Sequence, residues 1–318
     1  MPRVEDSPRP APPAAPVAAP AAPAAEPLAL APADLKLDRY KRGEDGRPEW
    51  AGEELEYQIR WNGLPAGRAV LRVKQRDRFP DAQGPETWLV RLDIRSNRAV
   101  TSVYPVRNKA QSRIDVKGGF SRLFANEVSE GEYQAKERAR FDYTLEKLEA
   151  LYEYPQWFEH PASEKEEARF PWKALTIPLN GKVLDPLSAV YYLRALDLKP
   201  GQTVVLPICA DRRVWNTPVK VEGRETVDIP GLGPRQPCLV LLPECEFNGL
   251  FVRRAVRTRT AAGDWMGAVQ LWVHEGTKVP VKLAAETPLG SCEALLDSHR
   301  FSPFDPGIPG PAAPQPKR

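Results

Sequence analysis

The chain has 318 residues, 42% of them hydrophobic, and its 45 Lys and Arg stand against 42 Asp and Glu for a net charge of +3. Charges of both signs are interspersed, a balance too weak and too mixed for the basic footprint of a nucleic-acid-binding protein. No run of about 18 apolar residues exists, so no segment reads as a membrane-spanning helix.

Residues 1–33 contain 10 Pro and 12 Ala and almost no large apolar side chain. Such a stretch cannot bury enough surface to offset its ordering entropy, so it reads as an extended, partly polyproline-like tether. The tail from residue 303 is again rich in Pro, Ala and Gly. The expected organisation is a disordered Pro/Ala-rich tether over 1–49, one antiparallel β domain over 50–301, and a disordered tail over 302–318. Met1 is not followed by the basic and apolar regions of a secretory signal. The expected location is the periplasm or cell envelope if a signal lies upstream of Met1, and the cytoplasm otherwise.

Within the folded region, strand signals come first. Leu55, Tyr57, Ile59 and Trp61 alternate with Glu54, Glu56, Gln58 and Arg60, and Asn62-Gly63 then turns the chain into a second strand over 68–75. Residues 88–94, 110–116, 131–143 and 148–154 continue the pattern between Gly, Pro and Asn clusters. The charged stretch 159–169, with prolines around it, reads as a surface loop.

One helical island follows, DPLSAVYYLRAL at 185–196, and the spacing predicts a buried helix over about 185–198. Asp185 is placed to cap the first turn, and Pro186 falls at the first helical position, where its missing N–H costs nothing. Ala189, Tyr192, Leu193 and Leu196 line one face. Leu187, Val190 and Tyr191 add a second stripe, so the helix must be covered on most sides. Lys199-Pro200-Gly201 ends it.

Strand patterns resume over 203–209, 213–221, 237–245, 250–260, 265–274, 279–286 and 291–298. Twelve to fourteen strands without crossover helices can form only an antiparallel sheet. So many strands must curl, giving a mainly β fold, a barrel, sandwich or spiral around one central helix.

Motifs for chemistry are missing. His160, His274 and His299 have no paired spacing, and no nucleophile elbow or phosphate-binding loop occurs. No metal and no cofactor is expected. Cys209, Cys238, Cys245 and Cys292 lack the two-residue gap of a zinc or redox motif. They are open to two readings, at least one disulfide in an oxidising compartment or buried reduced thiols.

Binding signals are weaker but present. Arg253, Arg257 and Arg259 share one face of a predicted strand, a basic stripe suited to an anionic head group or polysaccharide, or simply a solvated face. Gln270, Trp272 and His274 share another face and are placed either to line a concave ligand surface or to pack a second core layer. Trp215 and Tyr104 carry the same ambiguity. Arg107 and Arg113 are either ligand-facing or partners of buried carbonyls.

Four segments taken together carry a family resemblance: AGEELEYQIRWNGLPAGRAVLRV at 51–73, SNRAVTSVYPVRNKAQSRID at 96–115, DPLSAVYYLRAL followed by LKPGQTVVLPI at 185–208, and LWVHEGTKVPVKLAAETPLGSCEALL at 271–296. In this order they resemble the bacterial family catalogued as domain of unknown function 3108, over nearly all of the folded region. The resemblance implies an exported cell-envelope β protein with a curved or spiralled antiparallel sheet, similar in outline to the concave domains of periplasmic lipoprotein carriers. It brings no activity and no catalytic residue. The expectation is a non-catalytic protein that binds a lipid, glycan or protein component of the envelope, the alternative being a hydrolase acting on a cell-wall or lipid substrate.

Overall fold

The computed structural model describes residues 50–131, 133–144, 147–155, 172–210, 212–243, 269–287 and 290–301. These form fourteen strands: β1 (Glu53–Trp61), β2 (Leu64–Arg78), β3 (Glu86–Ser96), β4 (Arg107–Asp115), β5 (Ser121–Glu130), β6 (Tyr133–Thr144), β7 (Lys147–Pro155), β8 (Trp172–Pro178), β9 (Thr203–Ala210), β10 (Arg213–Ile229), β11 (Gly233–Pro243), β12 (Val269–His274), β13 (Pro280–Thr287) and β14 (Gly290–Phe301). A short helix, α1 (Arg98–Thr101), joins β3 to β4, and the predicted island is α2 (Pro186–Ala195). The pattern along the chain had not separated β5 or β8 from their surroundings. The strand expected over 250–260 lies outside the described residues.

All fourteen strands belong to one antiparallel sheet in the order β8 to β1, then β14 to β9. Strands that follow one another in the chain pair with each other, except β8 and β9, and the first and last strands also pair, Ile59 opposite Ala294 and Trp61 opposite Cys292. The result is an open barrel. Its two free edges are β8 and β9, consecutive in the chain, and α2 lies between them in sequence.

Backbone outside the ladders spans part of the gap. Ser121 N–H donates to Val183 O at 3.0 Å, Leu184 N–H to Pro207 O at 2.9 Å, and Cys209 N–H to Leu184 O at 2.7 Å. Residues 183 and 184 thus stitch the start of β5 to the end of β9. Elsewhere side chains hold the edges together. Tyr152 of β7 donates to Glu137 Oε2 at 2.9 Å and accepts from the Arg212 backbone, while the Arg212 guanidinium lies 5.0 Å from the Tyr154 ring centre.

The helix forms as its sequence dictates. Asp185 accepts from Leu187 N–H at 2.8 Å and Ser188 N–H at 3.0 Å, Ser188 answers the Asp185 N–H at 2.7 Å, and Pro186 opens the first turn. A cap of this kind contributes about 1 kcal/mol. Its two apolar stripes serve different partners. Leu187, Tyr191 and Ala195 belong to a core cluster with Leu55, Val90, Ile114, Phe141 and Tyr152 of β1–β8 and with Cys209, Val281 and Leu296 of β9–β14. Ala189, Tyr192 and Leu193 pack with Leu206, Val219, Val221, Leu239, Leu271 and Val273 of the β9–β14 half. Even Ser188 and Arg194, the expected polar face, are fully buried, so the helix is a plug between two halves of the sheet.

The β10–β11 hairpin arches back over the sheet. Register shifts between Val221 and Gly223 and between Val227 and Ile229 bend it, and Gly231 N–H donates to Leu296 O at 3.0 Å. A Cβ at Gly231 would stand 2.6 Å from Asp297 O, so the contact requires glycine.

Candidate functional site

Both ends of α2 are fixed by buried polar groups at the same end of the barrel, where β1 and β5 begin and β4 and β14 finish. At the helix start, the Ser112 and Ser121 hydroxyls donate to Asp185 Oδ2 at 2.5 and 2.6 Å. Burial pushes the Asp185 carboxyl above its ordinary range, against the opposing bonds from Ser112, Ser121 and the backbone. At the helix finish, Arg194 donates through Nη1 to Glu53 Oε2 at 2.7 Å, through Nη2 to Glu53 Oε1 at 2.6 Å and through Nε to Lys278 O at 3.1 Å. His299 Nε2 lies 3.3 Å from Glu53 Oε1. Burial alone would raise the Glu53 pKa, but Arg194 and His299 hold it down at about 2. Trp50 and Tyr191 flank the Arg194 guanidinium at 5.6 and 4.8 Å. The Asp185 and Glu53 carboxylates are each held by these bonds, and they read as anchors for the plug.

The opposite end is different. There the β1–β2 turn, the β3–β4 connection and the β5–β6 turn come together, and among the described residues no element lies across it. Strand alternation places Ile59, Leu92, Ile94, Ala110, Leu283 and Ala294 on the same face as the core residues that meet α2. Yet none of the six is fully buried, and Leu283 is 40% exposed. One ladder row shows the gradient: Leu55 and Leu71 are buried, while Leu92, Ala110, Asn126 and Glu137 are half-buried. Strands tilted to a barrel axis carry one row from the closed end toward the open one, which accounts for the trend. Asn108 adds polar atoms near the mouth, donating to Glu130 Oε1 at 2.6 Å and accepting from Ser129 N–H at 3.0 Å. Chemically, this is an apolar concave wall with a few fixed polar groups.

The residues singled out from sequence fall elsewhere. Gln270, Trp272 and His274 stand together on the face of β12 turned away from α2. Trp272 is buried there, its indole N–H donating to Glu225 Oε2 at 2.7 Å and the Lys282 ammonium 4.6 Å from its ring centre. His274 Nδ1 accepts from Thr277 N–H at 2.9 Å and shapes the β12–β13 turn. Trp215 is half-buried, with its N–H on Ala210 O at 3.1 Å and the Arg213 guanidinium over its ring. Arg113 pairs with Asp77 and lies over the Phe79 ring, Arg107 is exposed, and Tyr104 packs on Gly131. Arg253, Arg257, Arg259 and Cys245 lie outside the described residues. Cys209, Cys238 and Cys292 are free thiols. Among the described residues, no group of three His, Cys, Asp or Glu is placed to hold a metal ion, and no helix is long and apolar enough to cross a membrane.

The family described as protein of unknown function (DUF3108) matches residues 56–297, most of the chain. The chain belongs to the DUF3108 family. The fold of this DUF3108 chain is similar to the crystal structure of a β-barrel-like protein of another domain of unknown function, DUF1849, from Brucella abortus. That likeness has a TM-score of 0.50 at 11% identity and covers 80% of this chain and 99% of that one. A protein with a YmcC-like fold from Bacteroides fragilis aligns over 80% of this chain and 98% of its own, at 10% identity and a TM-score of 0.34. No curated protein matches. The mainly β, barrel-like architecture expected from the strand pattern is thus shared, and the family expected from the four segments is the family found.

Proposed function

We propose that this protein is a non-catalytic cell-envelope binding protein that takes the apolar part of an amphiphilic envelope component, such as an acyl chain, against the concave wall opposite α2. The observation that carries the reading is the half-exposed wall of Ile59, Leu92, Ile94, Ala110, Leu283 and Ala294, continuous with the core yet not covered by the helix that fills the other end. Concave, mostly apolar surfaces with a few oriented polar groups are the usual form of small-molecule sites. Asn108, Asn126 and Glu137 supply those groups for the ligand's polar end. The Pro/Ala-rich composition of residues 1–33 fits a tether that holds the domain off an envelope surface.

The test is titration of the full-length protein with a fluorescent fatty acid, comparing wild type with Ile94→Glu and Leu283→Asp. Saturable binding that is lost in the variants, with the thermal midpoint retained, supports the reading. Wild type that shows no saturable binding, or variants that bind as wild type does, would reject it.

A further inference from the structure

We propose that the rim at the open end docks on a membrane surface bearing anionic lipid headgroups, through an arginine row on the outer face of β2–β4 and the apolar tips beside it. Cross-strand register sets Arg68 opposite Arg95, and Arg95 opposite Arg107, so three guanidinium groups stand in line across three adjacent strands. All three are exposed. Like charges directly opposite one another destabilise a sheet, so this arrangement gives the fold nothing. Glu56 Oε1 lies 3.7 Å from Arg68; among the described residues, no carboxylate forms an ion pair with Arg95, Arg107 or the neighbouring Arg98. On the same outer face Arg72 is paired with Glu54 and Asp93, and Arg113 with Asp77.

The apolar half of the surface is beside this row. Leu64 in the β1–β2 connection is 71% exposed, and Val103 just after α1 is 86% exposed. The two connections are tied together, Asn97 N–H donating to Ala66 O at 2.8 Å and Asn97 Nδ2 to Pro65 O at 2.7 Å, so both tips project from one rigid corner of the rim. Exposed aliphatic tips flanked by uncompensated arginines match the layered chemistry of a lipid interface. The tips enter the acyl boundary, and each arginine meets the negative potential of the headgroups. A protein partner lacks that combination of a fluid apolar layer beneath a diffuse anionic one.

The inference does not depend on the ligand proposed above. Full-length protein is mixed with vesicles of phosphatidylcholine alone or with phosphatidylglycerol added, at low and high salt, and the bound fraction is measured by co-sedimentation. Anionic vesicles are expected to take up protein with a partition coefficient about two orders of magnitude above that of neutral ones at low salt, and the preference shrinks at high salt. Replacing Arg68, Arg95 and Arg107 together by Ala lowers partition by about two orders of magnitude, and Leu64→Asp with Val103→Asp also releases the protein. Equal binding to both vesicle types, no binding at low salt, or anionic binding unchanged by the five substitutions overturns the proposal. None of the five side chains belongs to the concave wall, so fatty-acid binding measured in the same variants separates failure of this surface from failure of the ligand site.

Discussion

Arg194 and Glu53 form a two-pronged ion pair, 2.7 and 2.6 Å, with both side chains fully buried. It locks the last turn of the plug helix to the first residue of the first strand, across 141 positions of sequence. A buried pair of this kind adds little net stability over an apolar replacement, but losing one partner strands a charge.

Arg194→Met alone is therefore expected to cost about 3–5 kcal/mol, and Glu53→Leu with Arg194→Met to recover much of that loss. Urea unfolding of the two single variants and the double variant measures the coupling. Strictly additive losses would show that the pair does not act as a unit.

The same pair sets a pH dependence. The folded Glu53 pKa of about 2 lies below the ordinary value of 4.5. Its contribution is thus fully present above the unfolded pKa and is lost as pH falls from the mid-4 range toward 2. Asp185, whose carboxyl is raised by burial, works in the opposite direction as the solution becomes acidic. Glu53→Gln should flatten the acid limb of a stability–pH curve, read by denaturant midpoints at successive pH values; an unchanged slope would contradict the assignment.

Tyr191→Asp and Leu193→Asp each place a carboxylate in one of the two core clusters that the helix joins. Either one should unfold the domain, because an unpaired buried charge costs more than a typical domain's whole stability margin allows. Circular dichroism and a thermal melt check this, and a variant melting as wild type does would mean that the helix does not hold the halves together.

Burial pushes the Cys209 thiol up to about 12 and Cys238 up to about 11. Neither presents a thiolate near neutral pH, so both should resist alkylation in the folded protein and react after denaturation. Mass-mapped labelling before and after addition of guanidinium follows each site.

The helix was legible because its signals are local: an Asp-Pro start, apolar stripes at helical spacing and a Pro-Gly stop. The Arg194–Glu53 pair was not, since Arg194 reads as a polar helix position and Glu53 stands just before the alternating run of the first strand, 141 positions away. Alternation placed Gln270, Trp272 and His274 on one face but could not say which face turns to the helix. Both faces of β11 and β12 are apolar: Leu239, Leu241, Leu271 and Val273 meet the plug side, while Cys238, Val240 and Trp272 are buried on the other. Ile59 was readable on the apolar face of its strand, but its partial exposure depends on how far α2 reaches into the barrel, which no local pattern encodes. The arginine row was hidden for the same reason, because it exists only in the register between strands.

The central claim is that the end of the barrel left open by α2 is a binding surface. Fluorescent fatty-acid titration of wild type and Ile94→Glu, run beside thermal melts of both, tests it most directly. The account predicts saturable binding by wild type and at least about a tenfold loss in the variant, the effect of one charge set into an apolar wall, with the melting midpoint retained. Equal affinity in the two proteins, or no saturable binding by wild type, would contradict it.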